Sequence, residues 1–128
     1  MKYLGIDYGK KKIGLSLSEG QLASAWQVLA IANLNQALER IFRIVRDEAI
    51  DAIVIGLPES GESRSMVKRF LQEFKKISNV TIIEHPETLS SFNARQNLLD
   101  LGAPRGKRGA DDAVAASLIL QDYLDAKP

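Results

Sequence analysis

Two short apolar runs near the N-terminus are separated by a basic turn and predict a β-hairpin. The first run ends at Asp7, and residues 12–18 follow with alternating apolar and polar positions. The intervening residues 9–11, Gly-Lys-Lys, are short enough for a tight turn. We therefore expect two antiparallel strands with Asp7 at the mouth of the hairpin. An aspartate at this place can serve chemistry, or can simply hydrogen-bond its own backbone in the turn.

The next pattern predicts one more strand and an amphipathic helix. The centre of residues 23–32 is apolar and β-compatible, which indicates a third antiparallel strand. Asn33, followed three residues later by Gln36, resembles a capping box. Apolar residues then recur at helical spacing from Leu34 to Ala49. The spacing predicts a helix of about four turns.

The remaining pattern predicts β-α units. Residues 52–57 form an unbroken apolar run, typical of a central parallel strand that is covered on both faces. We expect a helix over 63–76, a second buried strand over 80–83, a helix over 89–101 and a last helix over 110–124, with a basic glycine loop at 105–109. The predicted class is α/β: a mixed sheet, antiparallel in its first three strands and parallel afterwards, flanked by helices.

Size and composition limit the possible classes of protein. The 128 residues, 45% hydrophobic and 26% charged, predict one globular domain over 1–128. A formal net charge of +1 neither requires nor excludes a nucleic-acid partner. The absence of cysteine excludes disulfides, thiolate zinc sites and a cysteine nucleophile. With no leader and no membrane-spanning run, we expect a cytoplasmic protein without a membrane partner.

Three acids lie at places where sites form in α/β proteins. Asp7 ends the first strand, Glu87 follows the strand at 80–83, and Asp112 opens the last predicted helix. Ligands bind outside the carboxyl ends of the strands in such sheets, so Asp7 and Glu87 converge if their strands are neighbours. Asp112 has a second interpretation, since a carboxylate at a helix N-terminus complements the helix dipole.

The chemistry of these acids favours a hard divalent cation. Carboxylates without cysteine or a histidine cluster suit Mg²⁺ or Mn²⁺ and make zinc a poor candidate. Two such ions could activate water and stabilise the leaving oxygen in phosphodiester hydrolysis. The acids would then act as metal ligands.

Four motifs carry a family resemblance across nearly the whole chain. They are Leu4-Gly5-Ile6-Asp7-Tyr8-Gly9 with Ile13-Gly14, Val54-Ile55-Gly56-Leu57-Pro58, Glu87-Thr88-Leu89-Ser90-Ser91, and Asp112-Ala113-Val114-Ala115-Ala116 with Ile119-Leu120. In this order they resemble the YqgF/RuvX family. The resemblance implies a ribonuclease H-like fold related to RuvC resolvases. It also implies a nuclease for Holliday junction resolution or pre-16S rRNA maturation, with Asp7, Glu87 and Asp112 as its catalytic, metal-binding acids.

The chain departs from the family pattern around Glu87. Where the family usually has an acid before this glutamate and an arginine after it, this chain has Pro86 and Thr88. A non-catalytic nucleic-acid-binding module of the same fold is therefore the main alternative to an endonuclease. Actin-like kinases and ATPases open with a similar strand, but they need a second lobe to enclose a nucleotide.

Basic residues flank the proposed acids and are candidate phosphate contacts. They are Lys10, Lys11, Lys12, Arg105, Lys107 and Arg108. The alternative is a solvated run of charge. A substrate of branched DNA or precursor rRNA would use these contacts, and symmetric cleavage of a junction would need two active sites, hence a homodimer. We expect Trp26 in the core and leave a role of His85 near the acids as a minor possibility.

Overall fold

The computed structural model describes residues 1–86 and 108–127, with the backbone alone for 108–111. Eight elements are present in this part of the chain. In order they are β1 (Tyr3–Tyr8), β2 (Lys12–Ser18), β3 (Ser24–Ala30), α1 (Leu34–Asp47), β4 (Ala52–Leu57), α2 (Gly61–Phe74), β5 (Thr81–Pro86) and α3 (Arg108–Ala126).

The strands form one mixed sheet in the order β3-β2-β1-β4-β5. The pairs β1–β2 and β2–β3 are antiparallel, whereas β4 pairs in parallel with both β1 and β5. The predicted class, antiparallel in its first three strands and parallel afterwards, is confirmed. Residues 52–56 of β4 are fully buried, as the unbroken apolar run predicts for a strand between two neighbours.

The larger core lies on the sheet face that α1 and α2 cover. Leu4 and Ile6 of β1 pack there with Ile41 of α1 and with Phe70 and Phe74 of α2. The Asn33 side chain accepts a hydrogen bond from the Gln36 backbone N–H at 2.9 Å, which begins α1 as predicted. The second half of the capping box differs, because the Gln36 side chain accepts from the backbone N–H of Ala32 at 2.7 Å.

The opposite face of the sheet is lined by small residues and covered by α3. An added Cβ on Gly5 would overlap Ser16 Oγ and lie 2.8 Å from Leu120 Cβ, so the helix rests directly on the backbone of β1. The hydroxyl of Ser16 donates a 2.8 Å hydrogen bond to the carbonyl of Ala116. A smaller apolar cluster of Tyr3, Ala52, Val54, Ile119 and Leu120 completes this packing.

Several predicted boundaries and burials need correction. Helix α2 begins and ends two residues before the predicted 63–76, and β5 alternates between exposed and half-buried residues because it lies at the end of the described sheet. Trp26 is 37% exposed, not in the core, because it is the extra residue where the β2–β3 register shifts. The predicted helix over 89–101 lies outside the described residues. The interpretation of 1–128 as one domain therefore stays a prediction.

Helix α3 begins at Arg108, two residues before the predicted start at residue 110. Arg108 and Gly109 therefore belong to the helix and not to a basic loop, while Arg105 and Lys107 lie outside the described residues. None of the helices described is long and apolar enough to cross a membrane.

Because α3 touches the backbone of β1, Gly5→Ala should destabilise the protein by about 1–3 kcal/mol through overpacking. Gly20→Ala is the matched control, since nothing lies within 4 Å of an added Cβ there. Urea unfolding monitored by circular dichroism measures both variants. Equal unfolding midpoints for the two would contradict the close contact.

Candidate active site

Asp7 and the backbone of Asp112 lie on the face of the sheet that α3 covers, both next to Gly14 of β2. Asp7 shares this face with Tyr3 and Gly5, because alternate residues of a strand point to the same side. Its partner across the ladder is Gly14 of β2, and paired Cα atoms in antiparallel strands are about 4.5–5.5 Å apart. An added Cβ on Gly14 would overlap the backbone carbonyl of Asp112. The two acids are therefore carried by neighbouring segments of backbone.

Asp112 lies in the second turn of α3, not at its start. Four residues, 108–111, precede it in the helix. Helix-dipole stabilisation of a carboxylate falls off within the first turn, so the interpretation of Asp112 as a helix cap loses its support. Asp112 is one turn before Ala116, whose carbonyl contacts the sheet, and its side chain is half-buried. The helix thus directs its sheet-facing stripe, and Asp112 with it, toward the end of β1.

His85 lies in the same row of the sheet as Asp7. It pairs with Gly56 of β4, and Gly56 follows Ile55, the partner of Ile6. Two strand spacings of about 4.8 Å thus separate the backbones of Asp7 and His85. The His85 ring packs edge-on against Tyr123 at 6.2 Å between centroids. Its Nε2 atom is buried without a hydrogen-bond partner among the described residues.

The residues present suit Mg²⁺ or Mn²⁺ in part. Asp7 and Asp112 carry carboxylate oxygens, the donors that hard cations prefer. Within 1–86 and 112–127, no three His, Asp or Glu side chains lie together as a metal site. Any third carboxylate ligand of such a site would come from residues outside these ranges. Glu87, the predicted third acid, lies outside the described residues.

Of the predicted phosphate contacts, some have side chains that the structure describes and others lie outside the described part of the chain. Lys10, Lys11 and Lys12 are exposed on the β1–β2 turn, at the end of the sheet where Asp7 lies. Arg108 is the first residue of α3, but the structure describes only its backbone. Arg105 and Lys107 lie wholly outside the described residues. The turn lysines therefore give the acid-bearing end of the sheet a positive border.

Comparisons with known proteins identify the family of this chain and support its fold. The model of the family "RuvX: Holliday junction resolvase" matches residues 1–126. The chain belongs to the RuvX family. Among RuvX relatives, a protein of Roseiflexus sp. (strain RS-1) named "Putative pre-16S rRNA nuclease" is 32% identical over 98% of this chain and 95% of its own length. A protein of the same name from Chlamydia pneumoniae is 37% identical over 98% of this chain and 91% of its own length.

A solved structure supports the fold independently. The chain superposes on T. thermophilus RuvC in complex with a Holliday junction substrate with a TM-score of 0.67. The alignment covers 98% of this chain and 95% of that one at 13% identity, which shows a shared fold alone. The predicted YqgF/RuvX membership and the ribonuclease H-like fold related to RuvC are confirmed.

Gly14 belongs to one of the sequence motifs, but the sequence alone predicts no role for it. In the structure, Gly14 is the position at which the backbone of Asp112 approaches the strand next to Asp7. The signal in the sequence is a glycine inside a strand pattern, which marks close approach of another backbone. Gly14 is therefore a positioning residue of the candidate site.

If Asp7 and Asp112 share a metal site, Mn²⁺ should raise the melting temperature of the protein. At about a hundredfold excess over Kd, a ligand of the native state stabilises it by about 2.7 kcal/mol. Asp7→Asn and Asp112→Asn should lose this shift, whereas Asp125→Asn, an exposed acid near the end of the same helix, should keep it. A full Mn²⁺ shift in both site variants would show that the acids hold no ion.

Proposed function

We propose that this protein is a divalent-metal-dependent endonuclease that hydrolyses phosphodiester bonds in structured nucleic acid. The single observation that carries the proposal is the approach of Asp112 to the strand beside Asp7, on a chain that the RuvX family model matches over 1–126. The name of its relatives and the description of its family both specify nucleases. The substrate class is branched DNA or precursor 16S rRNA.

In the proposed site, the acidic side chains bind metal ions and the basic side chains bind substrate phosphates. Asp7, Asp112 and Glu87 would hold Mg²⁺ or Mn²⁺ through their carboxylate oxygens. When bound, the ions supply an activated water and neutralise charge on the leaving oxygen. Lys10, Lys11 and Lys12 hold substrate phosphates beside the acids and keep the scissile strand in place.

A non-catalytic nucleic-acid-binding module is the second candidate because Pro86 and Thr88 replace the charged neighbours of Glu87 in the family pattern. Such a module would use the same lysine turn. The two candidates differ in one property, since only the nuclease requires the acids and a metal ion. A cytoplasmic location, and a homodimer for paired cuts in a junction, are further parts of the proposal.

Asp7→Asn and Asp112→Asn should each lower the cleavage rate with Mg²⁺ by about 10²-fold or more, the usual effect of removing one group that stabilises developing charge. Single-turnover assays on a four-way DNA junction and on a pre-16S rRNA fragment measure the rates. Both variants should still bind substrate, because the substitution preserves size and removes a negative charge. Asp125→Asn is the control, and cleavage by either site variant at the wild-type rate would disprove the proposal.

The lysine turn makes a separate prediction about binding. Lys11→Ala/Lys12→Ala should weaken affinity for duplex DNA and reduce the slope of log K against log salt concentration by about 0.9 for each phosphate that is no longer neutralised. The matched control is Lys75→Ala/Lys76→Ala, which removes equal charge just after the last residue of α2. Fluorescence anisotropy across a salt series measures both slopes. Equal salt dependences for the Lys11→Ala/Lys12→Ala variant and the control would mean that the lysines of the turn are solvent-exposed charges that do not contact phosphates.

A further inference from the structure

A cavity of about 250 Å³ opens on the sheet face opposite the two acids. Its wall is apolar where Tyr8, Ile31, Leu34 and Met66 line it. Tyr8 is the residue after Asp7, and consecutive strand residues point to opposite faces. The end of β1 therefore directs an acid to one face of the sheet and an aromatic ring into a cavity on the other.

The rim of this cavity carries two positive charges. Lys10, from the β1–β2 turn, and Arg69, from α2, both line it and are exposed. Neither forms an ion pair with a carboxylate in the described ranges, whereas Lys2, Arg43, Arg46, Lys68 and Lys76 do. Two such cations beside an apolar wall suit a ligand that joins an anion to an apolar ring.

The Tyr8 side chain is held as part of the cavity wall. Its ring packs against Phe70 with 4.8 Å between centroids and 37° between planes. An aromatic ring fixed at the cavity wall can stack on a flat base.

We infer that this cavity binds a nucleotide, with the base against Tyr8, Leu34 and Met66 and the phosphate on Lys10 and Arg69. The inference rests on the nucleic-acid substrate of the proposed function and adds a requirement to it. An unpaired nucleotide can enter the cavity, whereas a base within a duplex cannot leave its stack without cost. The preferred substrate therefore has unpaired nucleotides near the cleaved bond.

Two variants alter the cavity by independent means. Arg69→Gln removes the anion contact, and Ala32→Phe fills the opening from an exposed position in the connection between β3 and α1. Lys75→Gln is the control for charge, about 9 Å further along α2. Ala126→Phe, at the exposed end of α3, is the control for added bulk. Thermal unfolding of all four variants establishes that each one is folded.

Fluorescence anisotropy in EDTA compares a labelled duplex carrying a single-stranded overhang with a fully paired duplex. Both cavity variants should bind the overhang substrate about tenfold more weakly and the paired duplex within about twofold of wild type. Calorimetry with AMP forms a second arm. If the cavity variants lose AMP binding but keep wild-type affinity for both oligonucleotides, the cavity binds a free nucleotide. This outcome supports nucleotide binding in the cavity and shows that the nucleotide does not belong to the substrate strand.

Wild-type binding by both cavity variants in both arms overturns the inference. Because these measurements need neither metal nor turnover, they are separate from the test of cleavage. A protein that binds through the cavity but never cuts would disprove the nuclease and leave the nucleotide site standing. If the protein cleaves its substrate and the cavity variants bind like the wild type, the nuclease proposal stands and the nucleotide site is disproved.

Discussion

The contact between α3 and the backbone of β1 and β2 is the constraint on which the candidate site depends. Any side chain at Gly5 or Gly14 would occupy space that the helix already fills, and the Ser16 hydroxyl fixes the helix by donating to a carbonyl within it. The close approach of the helix therefore requires glycines on the sheet, and the apolar cluster around Ile119 and Leu120 adds to the contact. The same contact brings the backbone of Asp112 against the strand that pairs with Asp7. Fold stability and the candidate site depend on the same surface, so a substitution at either glycine would disturb both.

The two faces of the sheet carry different tasks. One face buries large apolar side chains under α1 and α2, which supplies most of the core. The other face is small and polar toward the end of β1, where Asp7 lies. Asp7 and Tyr8 stand side by side in sequence but on opposite faces, so a single strand end contributes to the candidate metal site and to the wall of the cavity. The lysines of the following turn lie between these two places, where a phosphate backbone passing from one to the other would contact them.

The elements that sequence reasoning predicted well are those determined by local pattern. The hairpin follows from alternation around a short turn, β4 from its unbroken apolar run, and the start of α1 from the side chains of Asn33 and Gln36. The errors arise where distant parts of the chain decide the outcome. Burial of β5 depends on what covers it, the exposure of Trp26 depends on a register shift against β2, and the start of α3 lies in a Gly-containing basic stretch whose composition favours a loop. For the site, Asp7 was readable from its place at a strand end, whereas the proximity of Asp112 required the tertiary contact at Gly14.

In the proposed site, binding and cutting would depend on different charges, and this separation would allow one fold to serve either proposed function. Carboxylates grouped at a strand end repel phosphates, so the acids cannot by themselves attract a polyanion to the site. Attraction has to come from the lysine turn and from cations such as Arg69, which are independent of the acids. A relative without one of the metal ligands would therefore keep its affinity for nucleic acid and lack only hydrolysis. On the proposed function, the altered neighbours of Glu87 would affect turnover, whereas the exposed lysines of residues 10–12 and Arg69 do not depend on them.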